Sequence, residues 1–542
     1  MTKRTNRLSR MLVVTLAVMM ILTGMNFGMG GGTTLAWADT SNVGEAIKGT
    51  GTTEDPYQIG TAEELLWFAD QVNQSGKNTT STLCAKLTKN IDLAEVLETE
   101  NWTPIGNTTN HSSNYIAFGG TFDGDGHTIS NLKIDNDKKY QALFGYVSGT
   151  IKNLTVTGTV TTSSSHAAGI VAYGNPATVE NCTNKVEVTA TQKGYVAGVI
   201  AQAYTNSEIK GCVNSATISG CDSFVGGICA YASTASITNC INNGAISNNA
   251  TTLSSSKYGV GGIVGNMSSS SSISMCGNTG TVTSTLKRTG GIVGGLGGNV
   301  EKSFNTGAIT GIYGVGGIAG EPSASSTVKE CYNQGIVTAA EFSSFTDNYA
   351  KKGIGGIIGG TNSALYTAKI SDCYNTGNVS LPSGMTATDI TCGGVIGNSS
   401  GKSYSREDKA NLITAENTYY LESSARQGDG ANEGTTGIAA KKAEEMKTDD
   451  FASSLGNAFI AQAGEYPLLG WQDPNAAYQV VFTLSPTDAS LTVKDAGGVP
   501  ISASEEGTHT FSLKNGTYKY EVSADEHTTK TGSFTVAYAG QN

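Results

Sequence analysis

Three groups of residues in this chain have a type and spacing that could do chemistry. The first is Asp123, Asp125 and His127, in the run Gly119-Gly120-Thr121-Phe122-Asp123-Gly124-Asp125-Gly126-His127-Thr128-Ile129. Two carboxylates beside an imidazole could hold a divalent cation or share acid–base work. The run also reads as a tight corner, with Gly124 and Gly126 supplying the turn and Asp capping it, and this structural reading is preferred. The second group is Glu330 and Asp372, each directly before a cysteine of a repeated pattern. A glycosidase needs two carboxylates about 5–9.5 Å apart, which acids on adjacent turns of a repeat could supply. The matching positions elsewhere hold Asn181, Gly211, Asn239, Met275 and Ser303, so no acidic row forms and exposed scatter is the better reading. The third group is six cysteines of the ten in the chain: Cys182, Cys212, Cys240, Cys276, Cys331 and Cys373. There is no Gly-x-Ser-x-Gly, no His-Glu-x-x-His and no phosphate-loop motif.

These residues are positioned by a repeat whose clearest copy is Gly261-Gly262-Ile263-Val264-Gly265. Variants stand at 168–172, 197–201, 226–230, 290–294, 316–320, 355–359 and 393–397, with an earlier relative at Ala142-Leu143-Phe144-Gly145. A cysteine slot follows each Ile after 11 to 16 residues, and it also takes Leu154 and Phe304. Two residues beyond most slots comes an asparagine: Asn184, Asn214, Asn242, Asn278, Asn333 and Asn375. One unit holds about three short β-prone runs separated by Gly, Asn and Ser, too little to bury a core alone. Stacked units would bury a continuous column. Spacings near 29 residues (Gly169 to Gly198) are too short for propeller blades of about 40–50, and no Leu-x-x-Leu-x-Leu frame supports a leucine-rich horseshoe. The fold expected is mainly β: a right-handed parallel β-helix of about nine to eleven coils, spaced about 4.8 Å apart.

In that fold the cysteine slot is an interior apolar slot, where a free thiol acts as a small hydrophobe. Stacked Cβ atoms about 4.8 Å apart lie outside the usual disulfide range of about 3.5–4.5 Å. A column also cannot wrap four ligands round one ion. A buried thiol ladder is expected, with no metal and no cofactor.

The chain of 542 residues holds 70 Gly and carries 15% charged residues and a formal charge of −11. Residues 1–38 read as a secretory signal: Lys3, Arg4, Arg7 and Arg10, an apolar run from Met11, then a small-x-small cleavage site at Ala36 and Ala38. The acidic remainder lacks a nucleic-acid footprint, and no stretch reaches the roughly 20 apolar residues of a membrane span. Residues 39–142 are read as an N-terminal cap with the first coils. Its helix starts at the capping box Thr61–Glu64 and puts Ala62, Leu65, Leu66, Ala69 and Val72 on one face. Residues 143–426 carry the regular repeats. Residues 427–476 hold a charged helix over 439–455 and a segment, Glu465–Trp471, expected to close the C-terminal end. Residues 477–542 alternate as strands around the Asn515-Gly516 turn, expected to form a small β-sandwich.

The Gly-Ile-x-Gly units followed by Asn-Cys-x-Asn resemble the GLUG-motif family of bacterial surface proteins. Pro56-Tyr57-Gln58-Ile59, Trp102-Thr103-Pro104-Ile105-Gly106 and Tyr466-Pro467-Leu468 are similar to its end coils. The tail at 478–538 resembles carboxypeptidase-regulatory-like or PEGA-like modules. The resemblance implies a right-handed β-helix, export, a cell-surface location and adhesion or spacer roles, with no catalytic residues to carry over. The expectation is a monomeric, non-enzymatic surface protein binding a host or matrix glycoprotein or a polysaccharide. The alternative, from fold analogy, is a polysaccharide lyase or hydrolase. Longer connections at 246–258, 338–353 and 380–392 fall in one sector of the coil, and such insertions often mark a binding face. The expected contact residues are Phe342, Phe345, Tyr349, Lys351 and Lys352, on loops predicted to lie side by side.

Overall fold

The computed structural model describes residues 43–97, 100–110, 113–249, 259–285, 287–312, 314–340, 352–361, 365–381, 390–402, 408–409, 411–431, 435–473, 477–482, 484, 489–504, 509–514, 516–525 and 528–536. The leader with Ala36 and Ala38 lies outside them. Each repeat makes one turn of a parallel β-helix. A representative coil runs through Val260–Gly261, Val264–Met267, Ser272–Ser274, Gly277–Asn278 and Val282–Ser284. Each strand pairs in parallel with its counterpart one coil later: Val260 with Thr289, Val264 with Val293, Ile273 with Val300, Asn278 with Asn305 and Val282 with Ile309. One of the resulting sheets counts twelve parallel strands, from Tyr57–Ile59 to Ile413–Glu416, slightly more than the coil number expected.

Beyond the long strands Thr128–Asn136, Thr155–Thr162 and Thr183–Ala190, most coil strands are two to four residues long, because one or two inward residues per strand are enough once the coils stack. Phe122, Ile151, Val179, Ile209, Ile237, Ile273, Val300, Val328 and Ile370 form one such column and are fully buried. The cysteines form another. Each thiol donates to the carbonyl two residues earlier, as Cys276 Sγ does to Ser274 O at 3.3 Å. All ten cysteines are free. The expected register slips at one point: the slot in the coil after Cys276 is filled by Ser303, not Phe304. Ser303 Oγ accepts from Cys276 N at 3.2 Å, and Ser303 N lies 3.4 Å from Cys331 Sγ. Ser303 also donates to Glu301 O at 2.7 Å, reproducing the thiol's bond.

Two residues past that slot runs an unbroken asparagine ladder that includes Asn305. Asn184, Asn214, Asn242, Asn278, Asn305, Asn333 and Asn375 are fully buried. The Nδ2 of each but the last donates to the next coil's Oδ1 at 2.7 Å, and Asn375 Nδ2 reaches Ser424 Oγ at 3.5 Å. Each also donates to the carbonyl two residues on, as Asn278 does to Gly280 O at 2.8 Å. A buried amide is tolerated only when so satisfied. The ladder also explains a glycine of the repeat. A Cβ on Gly262 would lie 2.1 Å from Gly291 O and 2.4 Å from the Asn278 amide.

At the N-terminal end the helix Ala62–Asn73 starts at the expected capping box and buries Ala62, Leu65, Phe68, Ala69 and Val72. Phe68, not Leu66, is the central contact, meeting Phe118 and Phe122 at ring distances of 6.1 and 6.0 Å. The charged helix expected over 439–455 is instead the strand Ile438–Lys441 and two short helices, Ala443–Met446 and Asp449–Ser454. Thr448 stops the first and caps the second by accepting from Phe451 N. The segment that follows packs along the flank of the coils, Phe459 on Tyr374 and Trp471 on Phe304. Beyond it, Ala477–Val481 pairs with Thr510–Lys514, and Ser490–Lys494, Pro500–Ile501, Gly516–Ser523 and Lys530–Val536 make a four-stranded antiparallel sheet. The two sheets share an apolar cluster of Val493, Phe511, Leu513, Tyr518 and Val536.

Candidate functional site

The first candidate is a corner. Asp125 and Gly126 have φ of 48° and 82°, the left-handed conformation that Asp and Gly tolerate. Asp123 Oδ1 accepts from Asp125 N at 2.9 Å and from Asn153 Nδ2 at 3.0 Å. Lys152 lies 3.4 Å from the other Asp123 oxygen, and Lys86 lies 3.2 Å from Asp125. The carboxylates are spent on the turn and on lysines of neighbouring coils, and His127 N donates to Gly124 O at 2.8 Å. Among the described residues no cluster of His, Cys, Asp or Glu is arranged to hold a metal.

The acid pair is also a corner. Asn153, Asn181, Gly211, Asn239, Met275, Lys302, Glu330, Asp372 and Asn417 occupy one row with φ of 45–62°. The row holds Lys302 where the slipped register had put Ser303. Asn, Asp and Gly are the residues that accept this backbone most readily, which accounts for Asp372. Asp372 Oδ1 accepts from Asn417 Nδ2 at 2.8 Å. Glu330 lies 3.2 Å from Lys329 and 3.9 Å from Lys302. Glu330, then Asp372, hold the Lys329 ammonium above its ordinary pKa.

Of the expected contact residues, Phe342, Phe345, Tyr349 and Lys351 lie outside the described residues, as does the side chain of Lys352. The anchors of their loop are described. Val337 and Thr338 pair with Val379 and Ser380 before the insertions, and Lys352 to Gly355 pair with Ile390 to Gly393 after them. The insertions at 340–351 and 381–389 therefore leave and rejoin the coil at stacked positions.

An aromatic corner was missed in the sequence. Where two sheets meet with their outer faces toward each other, Tyr140, His166, Tyr195 and Phe224 stack at 4.3, 4.9 and 5.4 Å along one wall. Tyr146, Tyr173, Tyr204 and Tyr231 run along the other at 5.0, 5.4 and 5.9 Å. The signal was present in the repeat: Tyr173 and Tyr231 each stand three residues after Ile170 and Ile228. Burial pushes the Tyr173 phenol up to about 12. His166 sits between two rings, with Nε2 2.7 Å from Gln202 Oε1 and Nδ1 2.8 Å from Ser165 Oγ. Those bonds fix the imidazole in its slot, and the group reads as packing. In later coils glycines replace the rings and the walls close together, so that a Cβ on Gly259 would meet Gly265 O at 2.2 Å. There the wall holds a buried ion pair, Arg288 Nε to Glu321 Oε2 at 3.2 Å.

The last coil ends in a polar hollow of about 340 Å³ lined by Tyr420, Arg426, Asp429 and Thr435, among others. The Asp429 carboxylate accepts there from Thr435 Oγ1 at 2.7 Å and Ala431 N at 3.0 Å. No helix among the described residues is long and apolar enough to cross a membrane.

No family model matches the chain, so the GLUG and PEGA-like resemblances rest on their residues alone. Over 167 residues the chain is 32% identical to halomucin of Haloquadratum walsbyi, covering 29% of this chain and 2% of halomucin. Among solved structures it is similar to a candidate immunoglobulin A1 protease from Bacteroides ovatus, at 18% identity and a TM-score of 0.38, over 78% of this chain and 95% of that one. It is also similar to an IgA1 protease at 19% identity and a TM-score of 0.31, over 62% of this chain and 23% of that one. These likenesses concern the fold. The expectation that the chain is not an enzyme is corrected: both solved structures are named as proteases, and the lack of an acidic row says nothing against catalysis.

Proposed function

We propose that this protein is an exported β-helix scaffold of the cell surface that engages a host, matrix or glycan partner, adhesin-like, through loops inserted on successive coils. The observation that carries the reading is the stacked anchoring of two insertions between the same pair of strands. A rigid ladder that holds long loops at one sector presents them together, and binding residues concentrate on loops held by such scaffolds. Phe342, Phe345 and Tyr349 have no counterpart in other repeats, so no column of like residues requires them. Lys351 and Lys352 add positive charge on an acidic chain, favouring an anionic group on the partner.

The test is binding of the full chain to arrays of glycans and matrix proteins, beside a variant in which 338–353 is shortened to the length of the connection after Ile309. Loss of binding with the cysteines still protected from alkylation supports the reading. Unchanged binding overturns the site. Incubation of the same preparation with immunoglobulin A1 is the second arm, and cleavage would replace the scaffold reading with the activity after which the similar structures are named.

A further inference from the structure

The outward neighbours of the thiol column change character toward the C-terminal coils. Ile241 and Gly277 give way to Phe304, Tyr332, Tyr374 and Tyr419, paired in register from coil to coil. Phe304, Tyr332 and Tyr374 stack nearly parallel at 5.5 and 5.1 Å. This stripe is covered by the chain's own segment 443–472, which runs back along the coil from its end. Phe451 meets Tyr419 at 5.2 Å and Tyr374 at 5.9 Å. Phe459 meets Tyr374 at 5.8 Å, and the Tyr374 hydroxyl donates to Pro467 O. Gln472 bonds the Tyr332 hydroxyl at 2.8 Å, Trp471 packs on Phe304 at 5.6 Å, and Trp471 Nε1 donates to Lys302 O at 2.8 Å. Met446, Leu455 and Leu469 fill the space between.

We infer that 443–472 is a lateral clamp that joins the four coils from Phe304 to Tyr419 into one cooperative block and must be released before any of them opens. In a bare solenoid each coil contacts only its neighbours, so the terminal coil frays first and unfolding spreads inward. Here the strand Thr418–Leu421, on which Ile438–Lys441 stacks in turn, and the coil at Phe304 share one covering segment. Because the chain continues toward the C-terminus from Gln472, tension applied from that side would peel the clamp beginning at Trp471, over Phe304, and reach the coil end last.

Hydrogen exchange on the full chain, read by mass spectrometry, tests this with Trp471→Ala. The expected result is that strands 304–311, 332–339, 374–380 and 418–421 accelerate together, by about tenfold or more, while strands 155–190 keep their protection. Acceleration confined to 459–472, or to 418–421 alone, overturns the clamp, as does a uniform increase through the coil. Tyr332→Phe removes only the hydroxyl bonded by Gln472 and gives the same pattern at smaller amplitude if the clamp is real. It would leave 374–380 and 418–421 unchanged if the contact is merely local.

Discussion

Replacing Asn278 by Ala removes one rung of the asparagine ladder and three hydrogen bonds with it. These are Nδ2 to Gly280 O at 2.8 Å, Nδ2 to Asn305 Oδ1 at 2.7 Å, and Asn242 Nδ2 to Asn278 Oδ1 at 2.7 Å. Asn242 Nδ2 keeps its bond to Gly244 O, but Gly280 O and Asn305 Oδ1 lose a donor in a place closed to water. A buried polar group left unmade costs about 1–3 kcal/mol, and the net value of each satisfied bond is about 1 kcal/mol. The expected loss is therefore about 3–5 kcal/mol. Asn278→Asp keeps the shape but turns an acceptor toward two acceptors, so it should be worse than Ala at neutral pH. Burial would raise that carboxyl's pKa, so the Asp defect should ease as pH falls and grow as pH rises through the raised value. Because coils can open separately, urea midpoints should be read together with exchange of the 277–284 strands. Asn249→Ala, at an exposed position, should stay within about 0.5 kcal/mol of the parent. If Asn278→Ala falls within about 1 kcal/mol of that control, the ladder is not what holds the corner.

Gly262→Ala would drive a Cβ to 2.1 Å from Gly291 O and should cost about 2–3 kcal/mol, whereas Gly497→Ala, with only Asp495 Oδ1 at 3.3 Å, should be nearly neutral in the same melts. Burial holds the Cys182, Cys240 and Cys331 thiols well above their ordinary range and pushes Cys229 to about 12. These thiols should therefore react slowly with iodoacetamide in the native protein and quickly in urea, unlike the partly exposed Cys221 and Cys392. The stability tied to these thiols is present below their unfolded pKa of about 8.5 and lost as pH rises toward the folded values, so the urea midpoint should fall between about pH 8 and 10. A flat midpoint over that interval would count against the buried column. Glu321→Gln removes the carboxylate from the buried Arg288–Glu321 pair, whose side chains are 10% and 4% exposed, and should cost about 3 kcal/mol in thermal or urea unfolding.

What was legible in the chain was whatever the coil repeats. The thiol column, the glycine of each Gly-Ile corner and most of the asparagine ladder recur at a fixed place because each must meet its own kind one coil away, and that constraint writes a period. The slip at Phe304 shows the limit of reading by hydrophobicity. Phe304 fits the slot by being apolar, yet from Cys182 to Cys373 the slot holds a small side chain that donates to the carbonyl two residues back, which Ser303 does at 2.7 Å. Asn305, two residues past Ser303 as Asn278 is past Cys276, carried the correct register. The flank contacts were not legible for a different reason. The apolar residues of 446–471 announce that this segment buries a face, but whether it buries it on the coil end or on the aromatic stripe depends on partners more than a hundred residues away, as with Trp471 and Lys302. The left-handed corner row lies between these cases. Asn, Gly and Asp mark it in most coils, while Met275, Lys302 and Glu330 do not. An acid there therefore resembles half of a catalytic pair until the backbone is known. It is the backbone requirement, and the lysines that face it, that explain why Glu330 and Asp372 stand in adjacent coils.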